Sequence, residues 1–142
     1  MMRMSGRTVI GGAIGLLGLV AGGSMSFADS IDGRVLGAWT TSQADCSKLF
    51  VRSGGGLAYR QPVDKFAQAA IIGPQQIRLP ASICRVQHIT REKGVLKLNV
   101  LCNDSVSYTT QNVQIRVTSG GEIVYSPTGD PALDTTLVKC GM

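Results

Sequence analysis

The sequence predicts an all-β fold, a small antiparallel barrel of about eight strands, with a two-sheet sandwich as the alternative. Three observations lead there. Short segments of apolar or alternating character recur between glycine-rich turns. One hairpin sets two of the four cysteines opposite each other. Joining the other two draws the early chain to the last strand, which closes a sheet and removes its exposed edges.

The strand-forming part is expected to begin only after residue 28. The first 28 residues carry a basic start (Arg3, Arg7), an apolar centre and small residues at Ser26 and Ala28. That is the pattern of a cleaved export signal. Its apolar centre of about 12 residues is short against the roughly 20 needed to span a bilayer. No cysteine near the cut offers a lipid attachment point. The expected product is a single soluble domain, residues 29–142, in the periplasm, with no stable membrane insertion. Of 14 basic residues, Arg3 and Arg7 leave with the signal, so twelve remain against nine acidic ones, a net charge of +3.

The segments expected to be extended are residues 34–41, 65–72, 76–79, 106–110, 113–118, 122–125 and 135–140, besides the hairpin over residues 82–102. In 113–118, Val113, Ile115 and Val117 alternate with Gln114, Arg116 and Thr118, as in a strand buried on one face. Residues 42–50, SQADCSKLF, predict a short helical turn capped by Ser42 or Asp45. In 82–102, SICRVQHITREKGVLKLNVLC, a turn at Glu92-Lys93-Gly94 sets the register. Centred on Lys93, it places Cys84 opposite Cys102, Val86 opposite Val100 and His88 opposite Leu98. A Cys84–Cys102 disulfide follows, which leaves Cys46 to pair with Cys140. An even cysteine count in an exported chain favours disulfides over a metal site. Trp39, the single tryptophan, is expected to plug one end of the core.

Several functions find no support. His88 is the single histidine, too few for the usual mixed zinc site. A serine–histidine–acid triad could be assembled only around it, and the hairpin register puts it on the mostly apolar face, where it reads as a structural residue. Asp130 and Asp134, in SPTGDPALDTT, read as turn residues and not as a catalytic carboxylate pair. The basic residues are scattered, whereas phosphate backbones need clustered cations. The sequence thus predicts a non-catalytic protein with no cofactor, no metal and no nucleic-acid partner.

One stretch stands apart. Residues 53–60, SGGGLAYR, join three glycines to Tyr59 and Arg60. Glycines suit either a hairpin turn or a loop whose backbone must approach a partner, and tyrosine and arginine are enriched at binding hot spots. From the residues alone the stretch reads equally as a turn after residues 50–52 and as a contact surface.

A small exported barrel with an S-G-x-G-x-x-Y loop resembles the bacterial inhibitors of C-type lysozyme. Ser53, Gly54, Gly56 and Tyr59 match the signature SGSGARY of that family; Gly55 stands at its second serine and Ala58 at its basic residue. The resemblance implies that the loop enters the lysozyme cleft and engages its catalytic carboxylates. Contacts would come from Ser53, Gly54, Gly55, Gly56, Tyr59 and Arg60, with the Arg60 guanidinium as a donor in place of the absent serine. It also implies a second contact loop, here Tyr125, Gly129 and Asp130. A net charge of +3 gives no long-range steering toward a basic lysozyme, so the contacts would be local. The G-A-W at residues 37–39, followed by Cys46, is similar to the bacterial inhibitors of secreted metalloproteases. That family implies that residues 29–34 enter a protease cleft. A structural or small-ligand barrel is the third class.

Overall fold

A computed structural model describes residues 30–142; the expected export signal, residues 1–28, lies outside the described residues. Among the described residues ten strands occur: β1 (Gly37–Thr40), β2 (Phe50–Ser53), β3 (Gly56–Tyr59), β4 (Ala69–Ile72), β5 (Gln76–Arg78), β6 (Ile83–Glu92), β7 (Val95–Asn103), β8 (Tyr108–Val117), β9 (Ile123–Ser126) and β10 (Thr135–Lys139). Eight of them close an antiparallel barrel, β1-β10-β9-β8-β7-β6-β5-β4, and no sandwich forms. The hairpin β2–β3 is a separate two-stranded sheet outside that ring.

Several boundaries differ from the sequence expectation. Residues 106–110 and 113–118 are not two strands. Tyr108–Val117 runs unbroken, because each of its residues from Tyr108 to Arg116 has a partner on β7. Asn112 in its middle accepts from Asn99 Nδ2 at 3.1 Å, so a polar residue sits in the ladder at no loss. Residues 34–41 begin as a 3₁₀ turn (Gly33–Val35), and in 65–72 only Ala69–Ile72 is strand. In 42–50, a 3₁₀ turn (Gln43–Asp45) leads into α1 (Cys46–Leu49). Ser42 caps it, accepting from Ala44 N–H, and Asp45 does not cap.

Two apolar cores share the barrel wall. The larger fills the interior, with Trp39, Ile72, Ile77, Leu98, Val113 and Ile115 among its buried members. The smaller lies outside, where Ala38, Ala69 and Ile71 meet Phe50 and the Cys46–Cys140 bridge. All four residues of β4 (AAII) are therefore buried, with the interior on one face and the hairpin layer on the other. A strand covered on both faces reads as an unbroken apolar run.

One end of the barrel is plugged by the chain before β1. Ile31 and Val35 are buried, and the Ile31 amide donates to Pro74 O at 2.8 Å. Trp39 is 1% exposed and its indole N–H donates to Val35 O at 2.9 Å, which locks strand to plug. Lys139 Nζ lies 5.8 Å from the Trp39 ring centroid, within cation–π range. Gly37 makes the bend between plug and strand at φ +128°, and a Cβ there would stand 3.1 Å from Lys139 Cε. The G-A-W motif is thus explained by backbone conformation and core closure.

The β6–β7 hairpin corrects the expected register. Its turn holds two residues, Lys93 (φ +49°) and Gly94 (φ +76°), with Glu92 opposite Val95. Positive φ at both central positions matches the right-handed twist of the flanking strands. Cys84 still faces Cys102 and Val86 faces Val100, but a β-bulge intervenes between Val86 and His88. Ile89, not His88, therefore sits opposite Leu98, and His88 pairs with Asn99 as an exposed residue. One extra residue on a strand flips every side chain beyond it to the opposite face. This is why Ile89 packs against the interior while the lone histidine points away from it.

Both expected disulfides form, Cys84–Cys102 across neighbouring strands and Cys46–Cys140 across 94 residues of chain. In a chain-entropy picture, closing the long loop contributes about 4–5 kcal/mol and the 18-residue loop about 3 kcal/mol. Urea unfolding should therefore show a larger loss for Cys46→Ser/Cys140→Ser than for Cys84→Ser/Cys102→Ser. Equal losses would mean that the bridge strain or packing, and not loop length, sets their worth.

Candidate functional site

The SGGGLAYR stretch forms the end of the outer hairpin. Phe50 pairs with Tyr59, Val51 with Ala58, Arg52 with Leu57, and Ser53 with Gly56. Gly54 (φ +61°) and Gly55 (φ +83°) make the two-residue turn, a conformation that costs other residues strain. An added Cβ at either glycine would meet nothing within 4 Å, so the tip stands in open space. Ser53, Gly54, Gly55 and Gly56 are all exposed.

Tyr59 and Arg60 sit at the opposite end of the hairpin and hold its base. The Tyr59 hydroxyl donates to Arg78 O at 2.8 Å, and its ring packs on Phe50 with centroids 5.4 Å apart. The Arg78 guanidinium returns a hydrogen bond to Leu57 O, so strands β3 and β5 are clasped in both directions. Arg60 Nε donates to Ser47 O at 3.0 Å and its amide to Leu49 O at 2.7 Å, fixing the exit of β3 to α1. The Cys46–Cys140 bridge pins α1 to the barrel immediately before the hairpin begins. The structure thus divides the six expected contact residues into a free tip and a fixed base.

The second expected loop is divided in the same way. Tyr125 belongs to β9 and is buried, 7% exposed, on the inner face of the barrel. Gly129 (φ +79°) and Asp130 lie in the turn that follows, where Asp130 accepts from Ala132 N–H at 3.0 Å and caps a 3₁₀ turn (Pro131–Leu133). Asp130 thus has the turn role expected from its neighbours. Burial pushes the Tyr125 phenol up to about 12, and burial likewise holds the Tyr59 phenol well above the usual tyrosine range. Tyr125 adds to the effect on Tyr59, and the Arg78 charge opposes it.

A feature the sequence reading missed lies at the barrel end opposite the plug. There Ala70, Leu79, Leu137 and Tyr125 from four strands and their edges line a recess of about 370 Å³. The signal was present in the period-two pattern of β9, whose Ile123 and Tyr125 both face inward. Reading Tyr125 as a loop residue concealed it. Among the described residues, no three His, Cys, Asp or Glu side chains gather as metal ligands do, and no helix is long and apolar enough to cross a membrane.

No protein-family model matches the chain, and neither does any curated protein or solved structure at a significant level.

Two consequences are measurable. Tyr59→Phe deletes the bond to Arg78 O and should lower stability by about 1 kcal/mol, read as a shifted denaturation midpoint. A phenol whose folded pKa is raised contributes stability that is complete below pH 10 and is lost as pH rises toward 12. Stability should therefore fall across that window, and fall less in Tyr125→Phe; an identical decline in that variant would contradict the assignment.

Proposed function

We propose that this chain is a non-catalytic, cofactor-free periplasmic binding protein that inhibits a C-type lysozyme by placing its hairpin tip in the enzyme's cleft. The observation that carries this reading is the outer hairpin itself. It pairs with no barrel strand, exposes Ser53–Gly56 at its far end, and is clamped at its base by the Tyr59–Arg78 clasp and Arg60. A narrow glycine tip admits close backbone approach, and a fixed base limits the ordering entropy lost on docking. The identity of the partner rests on the S-G-x-G-x-x-Y likeness. With Tyr59 and Arg60 engaged in the base, direct contacts fall to Ser53, the glycine backbone amides and the exposed Arg52 beside them.

Inhibition would be competitive and reversible, resting on hydrogen bonds and close backbone contacts at the tip. The protease-inhibitor reading is less well supported. It needs residues 29–34 free, but Ile31 is buried in the plug and Arg91 donates to Ser30 O at 2.8 Å.

The test is a lysis assay with a C-type lysozyme, followed with and without the purified chain. Inhibition at micromolar concentration is expected. Ser53→Trp, which enlarges the tip without touching the base, should weaken it at least tenfold with an unchanged melting temperature. Absence of inhibition at micromolar excess, or full inhibition by Ser53→Trp, would defeat the proposal.

A further inference from the structure

We infer that the outer barrel wall across β5–β8 is a binding site for an acidic oligosaccharide, a groove that receives one sugar unit and pairs its carboxylate with Arg85. None of the lining residues belongs to the hairpin, and the inference does not rest on the lysozyme reading.

The groove, of about 400 Å³, is built by cross-strand register. Gln76 of β5 faces Arg85 of β6, which in turn faces Leu101 of β7. Nearer the strand ends, Ile83 faces Asn103, and Asn103 faces Tyr108 of β8. Residues two apart on a strand share a face, so both rows point outward, and all six residues are exposed. The bulge between Val86 and His88 leaves Gln87 without a ladder partner and adds its amide to the lining. Behind the groove, the buried Cys84–Cys102 bridge ties β6 to β7 at the same level. The backbone under the site is therefore fixed before a ligand arrives.

The side chains fall into two kinds. Ile83 (51% exposed), Leu101 (36%) and the Tyr108 ring (73%) offer apolar surface. A sugar ring has a face of C–H groups that such surface covers, and hydroxyl groups around its edge. The amides of Gln76, Gln87 and Asn103 each carry both donors and acceptors, as hydroxyl partners require. Arg85 is the one charged residue of the lining, and no acid lines the groove. Among the described residues the ion pairs use Arg34, Lys48 and Lys97, not Arg85. Asp104, next to Asn103 in the chain, is occupied, accepting from the Val106 and Ser107 amides at 2.8 Å each. An uncompensated guanidinium meets a carboxylate with two parallel N–H bonds. A single cation suits the single charge of a carboxylate better than a doubly charged phosphate.

Backbone pairing argues against an extended peptide as the occupant. β6 lies between β5 and β7, and β7 between β6 and β8, so no free strand edge is there for a peptide to join. Recognition must run through side chains. Size is also consistent: at ~30 Å³ per non-hydrogen atom, as for a water molecule, the groove takes about thirteen atoms, one sugar ring with its substituents.

The test is calorimetric titration of the purified chain at low salt with three probes. Hyaluronan tetrasaccharide carries carboxylates and acetamido sugars, chitotetraose carries acetamido sugars alone, and tetraglutamate carries carboxylates on a peptide. Saturable 1:1 binding of the hyaluronan fragment is expected, with chitotetraose about tenfold weaker and tetraglutamate not saturating. Arg85→Gln should abolish the preference between the two sugars, whereas Tyr108→Ala should weaken both by a similar factor of roughly five or more. Both residues are exposed, so melting temperatures should stay as in the parent chain. No saturable binding of the hyaluronan fragment, an undiminished preference in Arg85→Gln, or unaltered affinities in Tyr108→Ala would overturn the inference. So would tetraglutamate binding as tightly as the sugar, which would mark the groove as a site for acidic peptides.

Discussion

Strand β1 has only four residues, and the rest of the molecule depends on its being paired on both sides. Ala38 to Thr40 bond to β4 on one edge, and Trp39 and Thr40 face Lys139 and Val138 of β10 on the other. That double pairing turns a meander of strands into a closed ring. It also forces residues 41–68 out of the ring, because β1 and β4 are neighbours and nothing can be inserted between them. The hairpin is therefore an appendage by topology. It is kept against the wall by the outer apolar layer, the Cys46–Cys140 bridge and the Tyr59–Arg78 clasp.

In the proposed reading, this arrangement separates stability from recognition. Residues that look like contact groups in the sequence, Tyr59 and Arg60, are used to anchor the hairpin, and the tip is left with the smallest side chains. An anchored hairpin with a bare glycine turn can probe a cleft that a bulkier loop would not enter. The rigidity of the base then decides how much ordering is still lost on docking. Because the outer layer covers β4 on the side away from the interior, the two apolar cores are coupled through one strand.

Much of the barrel was legible in the sequence because its signals are local. Val113, Ile115 and Val117 show their face by alternation, and the paired Cys84 and Cys102 emerge from a hairpin register. The register failed past Val86, where a bulge adds a residue that no composition rule announces. A three-residue turn without a bulge and a two-residue turn with one give the same cysteine pairing. The disulfide could not tell them apart, and His88 was assigned to the wrong face as a result. The site was legible only in part. The glycine turn was evident from Gly54-Gly55, but the inward turn of Tyr59 depends on Arg78, nineteen residues away. The mouth recess was hidden for the same reason, since its lining comes from segments far apart in the chain.

The central claim is that recognition is confined to a free tip on a fixed base. Amide chemical shifts of the isotope-labelled chain, titrated with a C-type lysozyme, test it most directly. The account predicts that the amides of Ser53, Gly54, Gly55 and Gly56 shift or broaden first, while those of Tyr59 and Arg60 keep their free-state positions. Perturbations centred on the outer face of β6–β8, or none at saturating lysozyme, would contradict it.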